Sequence, residues 1–369
     1  MQLALVHDWL NQIGGAEDVL DHLLRMYPDS PLYTSIYDRA SMPPHWQSHD
    51  FRTLWLDRIP GIYEHHQRYL PLYPLAWGGL DLSDYDVILS NKSGFCHGVK
   101  GGENTLHICY CLAPTRYVWQ FEHYAARENL GRSVRLAVQS FIPYLRWWDK
   151  RAASRVYHFI AISKDIQQRI KQFYGRDSDI IYPPVEVRER FTPHQKHDDY
   201  FLSLGRLVPY KRVDLIVEAC TRLNLPLKVG GTGRDIERLK SIAGSTVEFL
   251  GFVPDDDLPE LFARCKAFVF PGLEDFGITP VQAQAAGRPV IAFAGGGALD
   301  TVIPSQTGVL FKEQRVECVM ETLQNFDADA YDPALIRQHA LQFDSHIFEQ
   351  KIRDFVDRAW SAWKANHRL

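Results

Sequence analysis

The segment 267–293 has the pattern of one complete strand–loop–helix–strand unit, and it restricts the possible folds more than any other part of the chain. Its two apolar runs, Ala267–Phe270 and Pro289–Phe293, each have the length of a buried strand. Between them, Thr279 is a good N-cap and Gly287 is a good helix end. A buried strand followed by a helix and another buried strand is typical of a parallel sheet covered by helices.

The alternation of short apolar runs with helical segments extends over the whole chain and is interrupted once. Two prolines break it within Tyr182–Val185, and the polar stretch that continues to Asp199 has no hydrophobic period, as expected of a linker. We therefore predict an α/β protein with two doubly wound, parallel-sheet (Rossmann-like) domains that face an interdomain cleft and bind ligands at the carboxyl ends of their strands. The predicted strands are 3–6, 32–36, 87–90, 106–111, 157–162 and 179–182 in the first half, and 200–204, 226–229, 247–250, 267–270, 290–293 and 308–311 in the second.

The composition is ordinary for a globular protein and excludes several functional classes. With 369 residues, 46% of them hydrophobic and 23% charged, the chain can form two separate cores. A net charge of −4 argues against a dedicated nucleic-acid-binding protein, which normally has an excess of basic residues. We find no basic-then-apolar leader and no apolar run near the roughly 18 residues of a membrane span, so we expect a cytoplasmic protein. The six cysteines lack the spacing of a metal site, and Cys109 and Cys111, in one apolar strand, are interpreted as core thiols.

The loop between the two apolar runs of segment 267–293 combines a carboxylate with a helix N-terminus. Glu274 lies shortly before the predicted helix, whose first backbone N–H groups have no partners within the helix. These amides and the helix dipole favour a phosphate, and a carboxylate can accept hydrogen bonds from sugar hydroxyls. An anion site beside a group that binds hydroxyls suits a nucleotide-sugar. The candidate residues of this loop and helix are Glu274, Phe276, Gly277, Ile278, Thr279 and Gln282.

This segment resembles the donor-sugar loop of retaining glycosyltransferases of family 4, which have the GT-B fold and a Glu-x7-Glu motif. The first Glu of the motif is Glu274, and Gln282 stands where the family has the second. The resemblance implies that Glu274 contacts the donor hexose and that residue 282 contacts ribose hydroxyls. Gln keeps hydrogen-bonding capacity but loses the charge. The alternative for Gln282 is a capping box with Thr279, which needs no ligand.

A second loop of the same half, from Leu204 to Asp214, carries Arg206 and Lys211 where a strand leads into a helix. A guanidinium and an ammonium group five residues apart on one loop can straddle a diphosphate. The resemblance implies this role for Arg206 and Lys211, and with Glu274 they are the residues we predict to be catalytic. The alternative is a pair of solvated surface charges at a helix start.

Glycine turns after other strands provide further candidates for donor binding. Gly230 opens a strand-to-helix turn, and Gly251, Phe252 and Val253 match the edge where the family reads the nucleobase. In the first half, the turn of Gly14 and Gly15 resembles the family's glycine loop, and its spacing does not fit the Gly-x-Gly-x-x-Gly fingerprint of dinucleotide-binding proteins. Alone, such turns are weak evidence, because glycine turns after parallel strands need no ligand. The triplet Gly295–Gly297 stays unassigned.

Four residues of the first half are candidates for the acceptor side. Asp8 follows the first strand, where an acceptor hydroxyl could meet it, and Arg116 and Tyr117 belong to a segment similar to the family's sequence. Many relatives have a His where this chain has Leu112, so a polar contact is missing there. His97 could replace it, although a lone histidine is more often structural.

The stretch 116–155 has eight basic residues against three acidic ones, with several aromatic residues among them. A basic, aromatic and helical stretch can lie on an anionic membrane surface, where lipid-linked acceptors would be found. The alternative is an aromatic core face with solvated basic residues on the opposite side. The sequence leaves both interpretations open.

The resemblance covers nearly the whole chain, and its implied reaction is transfer of a hexose from a UDP- or GDP-linked sugar to a hydroxyl acceptor, with retention at the anomeric carbon. The chain is similar to bacterial polysaccharide hexosyl- and mannosyltransferases, so we expect a glycan or lipid-linked acceptor, no cofactor and no obligatory metal. The implied parts are an acceptor-side domain (1–184), a nucleotide-sugar donor domain (185–344) and a final helix that crosses back onto the first domain (345–369). The alternatives are an inactive or weakly active nucleotide-sugar-binding protein, and an epimerase or phosphorylase of the same fold.

Overall fold

The computed structural model describes residues 1–121 and 132–367, and these form two compact units. The first unit is Met1–Pro184 with the chain from Phe348 onward, and the second is Val185–Ile347. Within the described residues, each unit has one sheet of parallel strands with helices between them. The predicted α/β class with two Rossmann-like domains is therefore confirmed, whereas the interdomain cleft stays a prediction.

The sheet of the first unit has seven strands in the order β3-β2-β1-β4-β5-β6-β7, and that of the second has six in the order β10-β9-β8-β11-β12-β13. The strands of the first unit are β1 (Leu3–His7), β2 (Leu32–Thr34), β3 (Phe51–Thr53), β4 (Val87–Lys92), β5 (Leu106–Cys111), β6 (His158–Ala161) and β7 (Ser178–Ile180). Those of the second unit are β8 (Phe201–Leu204), β9 (Leu227–Gly230), β10 (Val247–Gly251), β11 (Ala267–Phe270), β12 (Val290–Phe293) and β13 (Gly308–Phe311).

Helices connect the strands and cover the sheets. In the first unit they are α1 (Gly15–Met26), α2 (Ile62–His65), α3 (Tyr73–Gly79), α4 (Arg116–Trp119), α5 (Arg132–Ala153) and α6 (Lys164–Tyr174). In the second unit they are α7 (Val187–Arg190), α8 (Val213–Leu223), α9 (Ile236–Ile242), α10 (Leu258–Arg264), α11 (Ile278–Ala285), α12 (Ala298–Thr301), α13 (Val316–Gln324) and α14 (Pro333–Ala340). The last helix, α15 (Ser345–His367), begins in the second unit and continues in the first.

The central strands form because their apolar runs are buried on both faces of a parallel sheet. Every residue of β1, β4 and β5 is buried, including the polar residues near their carboxyl ends. The predicted strands agree with the observed ones except for β3, which the sequence did not indicate. Its three half-exposed or exposed residues lie at the sheet edge and pair only with β2 among the described residues, so they show no apolar run.

The segment predicted to be a linker, 185–199, is packed in its first half. Val185 N–H donates to Phe343 O (3.0 Å), Val187 is buried in α7, and the ring of Phe191 packs edge-on against that of Phe262. Isolated apolar residues in a charged stretch give no period, so the sequence could not show this contact with the second core.

The last helix packs on the first unit through aromatic residues on one of its faces. Phe348 contacts the ring of Tyr110, and Trp363 contacts the ring of Tyr157. Trp363 Nε1–H also donates to Asn104 O (3.2 Å). None of the described helices is both long enough and apolar enough to span a bilayer.

Candidate functional site

The strand order of the second unit reverses at β8, which pairs with β9 on one side and β11 on the other. The loops after β8 and β11 therefore leave the sheet next to each other, at the position where open α/β sheets bind ligands. Lys211 comes from the first loop and Glu274 from the second, and Lys211 Nζ lies 2.6 Å from Glu274 Oε1. The structure thus brings together two of the three residues predicted to be catalytic.

This pair is neither buried nor fully solvated. The side chains of Lys211 and Glu274 are 17% and 23% exposed, so one side of the pair faces solvent. An ammonium group has three donors and a carboxylate has about four acceptor positions, so one mutual contact leaves capacity in both groups for a ligand. The pair can therefore bind an anionic group through Lys211 and hydroxyl groups through Glu274.

Arg206, the third predicted residue, lies on the same loop as Lys211 and is exposed. Its guanidinium forms no ion pair with any carboxylate of the described residues. The loop is fixed by its backbone, because Gly205 N–H donates to Gly230 O (3.1 Å) and Leu207 N–H donates to Thr232 O (2.8 Å). A fixed loop with an exposed guanidinium suits bidentate binding of a phosphate.

The helix after Glu274 begins earlier than the sequence indicated. Its N-cap is Gly277, with φ of +92°, a backbone conformation that residues with a Cβ rarely adopt. Ile278 is the first helical residue and Thr279 the second, so the prediction that Thr279 is the N-cap is wrong. The N–H groups of Ile278 and Thr279 belong to the first helical turn and have no partners within the helix.

Gln282 then lies in the second turn of α11 and is half-buried. A capping box requires its Gln in the first turn, three residues after the N-cap, so this alternative for Gln282 is wrong. Contact between Gln282 and a ribose stays a prediction. Phe276, on the other side of the cap, is buried against Phe343, so its ring is not available to a ligand.

The glycine triplet that the sequence analysis left unassigned supports the Glu274 loop. Gly297 N–H donates to Glu274 O (2.9 Å), and a Cβ on Gly296 would lie 2.1 Å from the same oxygen. Only glycine permits this close approach. Three consecutive glycines after β12 are a signal in the sequence that another segment approaches closely. The sequence does not show that this segment is the Glu274 loop, because that contact arises from the pairing of β11 with β12.

The predicted donor-binding loops after β9 and β10 lie beside the Arg206 loop. Gly231 N–H donates to Gly251 O (2.6 Å), and a Cβ on Gly230 would lie 2.9 Å from Val253 Cγ2. Phe252 is 75% exposed, the largest exposed fraction among the described large hydrophobic residues. The geometry is compatible with a flat ligand on Phe252, and its role in nucleobase binding stays a prediction.

In the first unit, Gly14 is the N-cap of α1 and Gly15 is its first residue. Gly15 is exposed and Gly14 is half-buried, while Glu17 of the same turn is buried and lies 3.4 Å from His7 Nε2. The glycine turn is thus accessible at the carboxyl end of β1. Its contact with donor phosphate stays a prediction.

Asp8 does not have the accessible position that was predicted for it. The residue is completely buried, and its oxygens accept hydrogen bonds from the backbone N–H groups of Ser93, Gly94, Phe95 and Cys96 at 2.5–2.7 Å. These four bonds use the hydrogen-bonding capacity of a carboxylate. Contact of Asp8 with an acceptor hydroxyl is therefore a wrong prediction, and the residue instead holds the loop after β4.

His97 is likewise a buried structural residue. Its ring centre lies 6.1 Å from that of Trp148 and 6.0 Å from that of Tyr174, and its Nε2 is 3.3 Å from Asp149 O. Burial, reinforced by the charge of Lys92, holds the pKa of His97 well below its usual value. The ring is therefore neutral and inaccessible, and the prediction that His97 replaces the missing polar contact near Leu112 is wrong.

His97 belongs to a buried polar cluster that the sequence analysis did not identify. Asp149 accepts hydrogen bonds from Trp119 Nε1 (2.6 Å) and the hydroxyl group of Tyr174 (2.7 Å), and Lys92 Nζ donates to Ala113 O (3.1 Å). Although burial alone would lower the pKa of Lys92, the nearby carboxylate of Asp149 raises it above its usual value. Lys92 Nζ also donates to the hydroxyl oxygen of Thr115, whose hydroxyl group donates to Asp149, so this network links α5 to the carboxyl ends of β4 and β5.

Arg116 and Tyr117 begin the short helix α4 and are both half-buried. The ring of Tyr117 lies 6.1 Å from those of Trp9 and Phe95, so it belongs to the aromatic core at this edge of the sheet. Contact of either residue with an acceptor stays a prediction. Within the described residues, no group of three His, Cys, Asp or Glu side chains has the arrangement of a metal site, and Cys109 and Cys111 are buried.

Comparison with known proteins gives the family. The model of the family described as glycosyl transferases group 1 matches residues 186–337. Over 350 residues the chain is 36% identical to a GDP-mannose-dependent alpha-mannosyltransferase of Mycolicibacterium smegmatis, with 87% of each chain covered. It is 25% identical over 209 residues to the serotype-specific mannosyltransferase WbdA of Escherichia coli, a match that covers 52% of this chain and 25% of WbdA.

The fold is also that of a solved structure, HepE of Anabaena in complex with UDP. The TM-score is 0.71 at 17% identity, with 97% of this chain and 100% of HepE covered, a likeness that shows the fold alone. The chain spans only about a quarter to about a half of the length of several curated relatives. The mycobacterial relative, in contrast, matches over nearly its full length. The chain therefore belongs to the group 1 glycosyl transferases and has the GT-B fold, in agreement with the predicted resemblance.

Proposed function

We propose that this protein is a retaining hexosyltransferase that moves a hexose from a GDP- or UDP-linked sugar to a hydroxyl group of a glycan or lipid-linked acceptor. The observation that carries the proposal is the pair of Lys211 and Glu274 at the switch point of the second sheet, with Arg206 exposed on the same loop. Two cations and one carboxylate at this position match a ligand that has a diphosphate at one end and hydroxyl groups at the other.

In the proposed reaction, the bond between the anomeric carbon and the diphosphate oxygen breaks and a bond to the acceptor oxygen forms on the same face. The acceptor proton passes to the departing diphosphate, so no protein nucleophile is required. Negative charge grows on the diphosphate as it leaves, and Arg206, Lys211 and the amides of Ile278 and Thr279 stabilise it. Preorganised donors of this kind are worth several kcal/mol in active sites, on the order of 3 kcal/mol for one donor.

One relative supports the choice of donor. The mycobacterial protein is described as a GDP-mannose-dependent alpha-mannosyltransferase. GDP-mannose is the first donor to test, because the mycobacterial relative has the higher identity over most of the chain. We further propose that the protein acts in the cytoplasm, in peripheral contact with an anionic membrane where lipid-linked acceptors are present.

The first experiment measures the melting temperature with GDP and with UDP. A ligand that binds only the native state must raise it. Replacement of both Arg206 and Lys211 by Ala should abolish the increase, because the diphosphate loses its two cationic partners. The matched control is Arg264→Ala with Lys266→Ala, which removes one Arg and one Lys from the opposite end of β11.

The control variant should keep the increase, since its residues pair with Asp198 and Asp199, far along the strand from the proposed site. An increase that survives in the Arg206 and Lys211 variant would contradict the assignment of the diphosphate. An increase that is lost equally in both variants would show a general effect of charge.

A catalytically weak nucleotide-sugar-binding protein is the second candidate. It is favoured by Gln282 in place of the family's second Glu and by Leu112 in place of a frequent His. Release of GDP from GDP-mannose in the presence of an acceptor distinguishes the two candidates, and the anomeric configuration of the product tests retention. Binding of the donor without any turnover would favour the second candidate.

A further inference from the structure

The solvent-exposed side of α5 carries large aromatic residues that nothing in the described structure covers. Phe141, Tyr144 and Trp147 are 51%, 43% and 59% exposed. Their spacing of three residues places them along one side of the helix. We call this surface the α5 face and define it as Phe141, Tyr144, Trp147, Lys150 and Arg151.

The opposite side of α5 is a normal core surface. Ile142, Leu145 and Asp149 are buried, and Asp149 is held by the polar cluster around Lys92. At 100° per residue, Trp147 is directed almost opposite to the centre of this buried side. A tryptophan at the middle of a solvated helix face leaves a large apolar area in water.

The side chains of the α5 face interact with one another. The rings of Tyr144 and Trp147 are 6.1 Å apart, and the guanidinium carbon of Arg151 lies 6.0 Å from the centre of the Trp147 ring. Aromatic rings with a polar tip, next to cationic groups, are typical of surfaces that lie at the headgroup level of a bilayer.

The outward charge of this region is entirely positive. Between residues 139 and 157 there are four basic residues and one acidic residue, Asp149, and this acid is completely buried. Arg127 and the side chains of Arg132 and Arg135, which also belong to the basic stretch of the sequence analysis, lie outside the described residues. Among residues 139–157 this exposed face has cations and no exposed carboxylate, which makes it complementary to an anionic surface.

We propose that the α5 face docks on the surface of an anionic membrane, with Trp147 and Tyr144 between the lipid headgroups and Lys150 and Arg151 against lipid phosphates. The proposal rests on the proposed function only for its purpose, which is to hold the enzyme where a lipid-linked acceptor is present. The sequence left two interpretations open for this stretch: a surface that lies on a membrane, and a helix with one core face. In α5, a core face and an exposed aromatic face lie on opposite sides of one helix.

The test is sedimentation of the full chain with vesicles of equal parts phosphatidylcholine and phosphatidylglycerol, compared with vesicles of phosphatidylcholine alone. The native protein should bind the anionic vesicles and release them at high salt, because headgroup attraction is screened. Tyr144→Ala with Trp147→Ala, and separately Lys150→Glu with Arg151→Glu, should each weaken binding by at least about tenfold.

Two control variants make the same kinds of substitution at positions outside the α5 face. Trp55→Ala removes another tryptophan that is about half exposed, and Lys312→Glu with Arg315→Glu makes the same change of charge on the second unit. Both should bind anionic vesicles as the native protein does. Equal loss of binding in test and control variants would overturn the proposal.

Two further results would also overturn it. Failure of the native protein to bind anionic vesicles, while GDP still raises its melting temperature, would reject the membrane contact and leave the proposed hexosyl transfer intact. Light scattering is the second check: a native dimer that becomes a monomer in the Trp147 variant would show that a second copy of the chain covers the α5 face.

Discussion

The two sheets reverse their strand order at corresponding positions but use them differently. In the first unit the reversal lies between β1 and β4, where Asp8 is buried and accepts four backbone hydrogen bonds from the next loop. In the second unit it lies between β8 and β11, where Lys211 and Glu274 form one partly exposed pair. The same topology thus gives a structural anchor in one unit and a candidate ligand site in the other.

The difference teaches that position at a switch point is not sufficient to identify a site. A carboxylate that already accepts four hydrogen bonds in a buried position has no capacity for a substrate hydroxyl. A partly exposed ion pair contributes little to stability and can exchange its partners for a ligand. Substitution of Asp8 at the first switch point should therefore change stability, and substitution of Glu274 at the second should change activity.

The largest expected effect is that of Asp8→Ala on the stability of the first unit. The change leaves four backbone N–H groups of the 93–96 loop without their acceptor, which should lower the free energy of unfolding by at least about 3 kcal/mol. All nine tryptophans of the chain lie in the first unit, so denaturation followed by tryptophan fluorescence reports on this unit. Asp81→Ala, at an exposed position of the same unit, is the control and should have little effect.

The next effect is on catalysis and concerns Glu274→Gln. If Glu274 orients the donor hexose, loss of its charge should lower kcat/KM by about a hundredfold, or about 2.7 kcal/mol, with the melting temperature nearly unchanged. Glu313→Gln removes a surface carboxylate of the same unit and should leave both quantities unchanged. A large loss of stability in the Glu274 variant would show that Glu274, like Asp8, is a structural carboxylate, which would contradict the difference proposed between the two units.

A third effect is the response of the first unit to acid, which depends on buried histidines such as His107. Burial lowers the pKa of His107 to about 3, and its Nε2 lies 2.9 Å from the hydroxyl oxygen of Ser90. The unfolded chain, with a histidine pKa of about 6.5, binds a proton first, so stability is present above that pH and is lost as the pH falls toward 3. This residue alone should lower the free energy of unfolding by about 2 kcal/mol between pH 7 and pH 5.

The measurement is denaturant unfolding at several pH values, followed by tryptophan fluorescence. Between pH 7 and pH 5, the free energy of unfolding should fall by about 2 kcal/mol less in His107→Gln than in the native protein. This difference is expected whatever the variant does to stability at pH 7. An identical slope in the native protein and the variant would show that His107 does not contribute.

The smallest of these effects is that of Gln282→Glu on donor affinity. A carboxylate should accept both ribose hydroxyls with stronger, charge-assisted bonds, while the nearby diphosphate opposes the gain. We expect a change of only about tenfold in the dissociation constant, or about 1.4 kcal/mol, and little change in folding because Gln282 does not cap the helix. Turnover by the variant alone would show that the native protein is a binding protein.

Much of the second unit was predictable because its signals are local. The strands from β8 to β13 are short apolar runs, and Lys211 and Glu274 follow their strands within a few residues. The exact start of α11 was not predictable, because it depends on the φ of Gly277 rather than on the best capping residue nearby. The edge strand β3 was missed because it has no apolar pattern in the sequence. Only its pairing with β2 shows that it is a strand.

The sequence by itself determined the α/β class, the two Rossmann-like domains and the candidate residues Arg206, Lys211 and Glu274, because strand periodicity and loop chemistry are properties of neighbouring residues. The tertiary structure decided which polar residues are free to act. Asp8 meets the loop at 93–96, and Asp149 meets Trp119 and Tyr174, across large separations in the chain. Burial and hydrogen-bond saturation arise only when distant segments pack together, so no local pattern could distinguish these structural carboxylates from a partly exposed one such as Glu274.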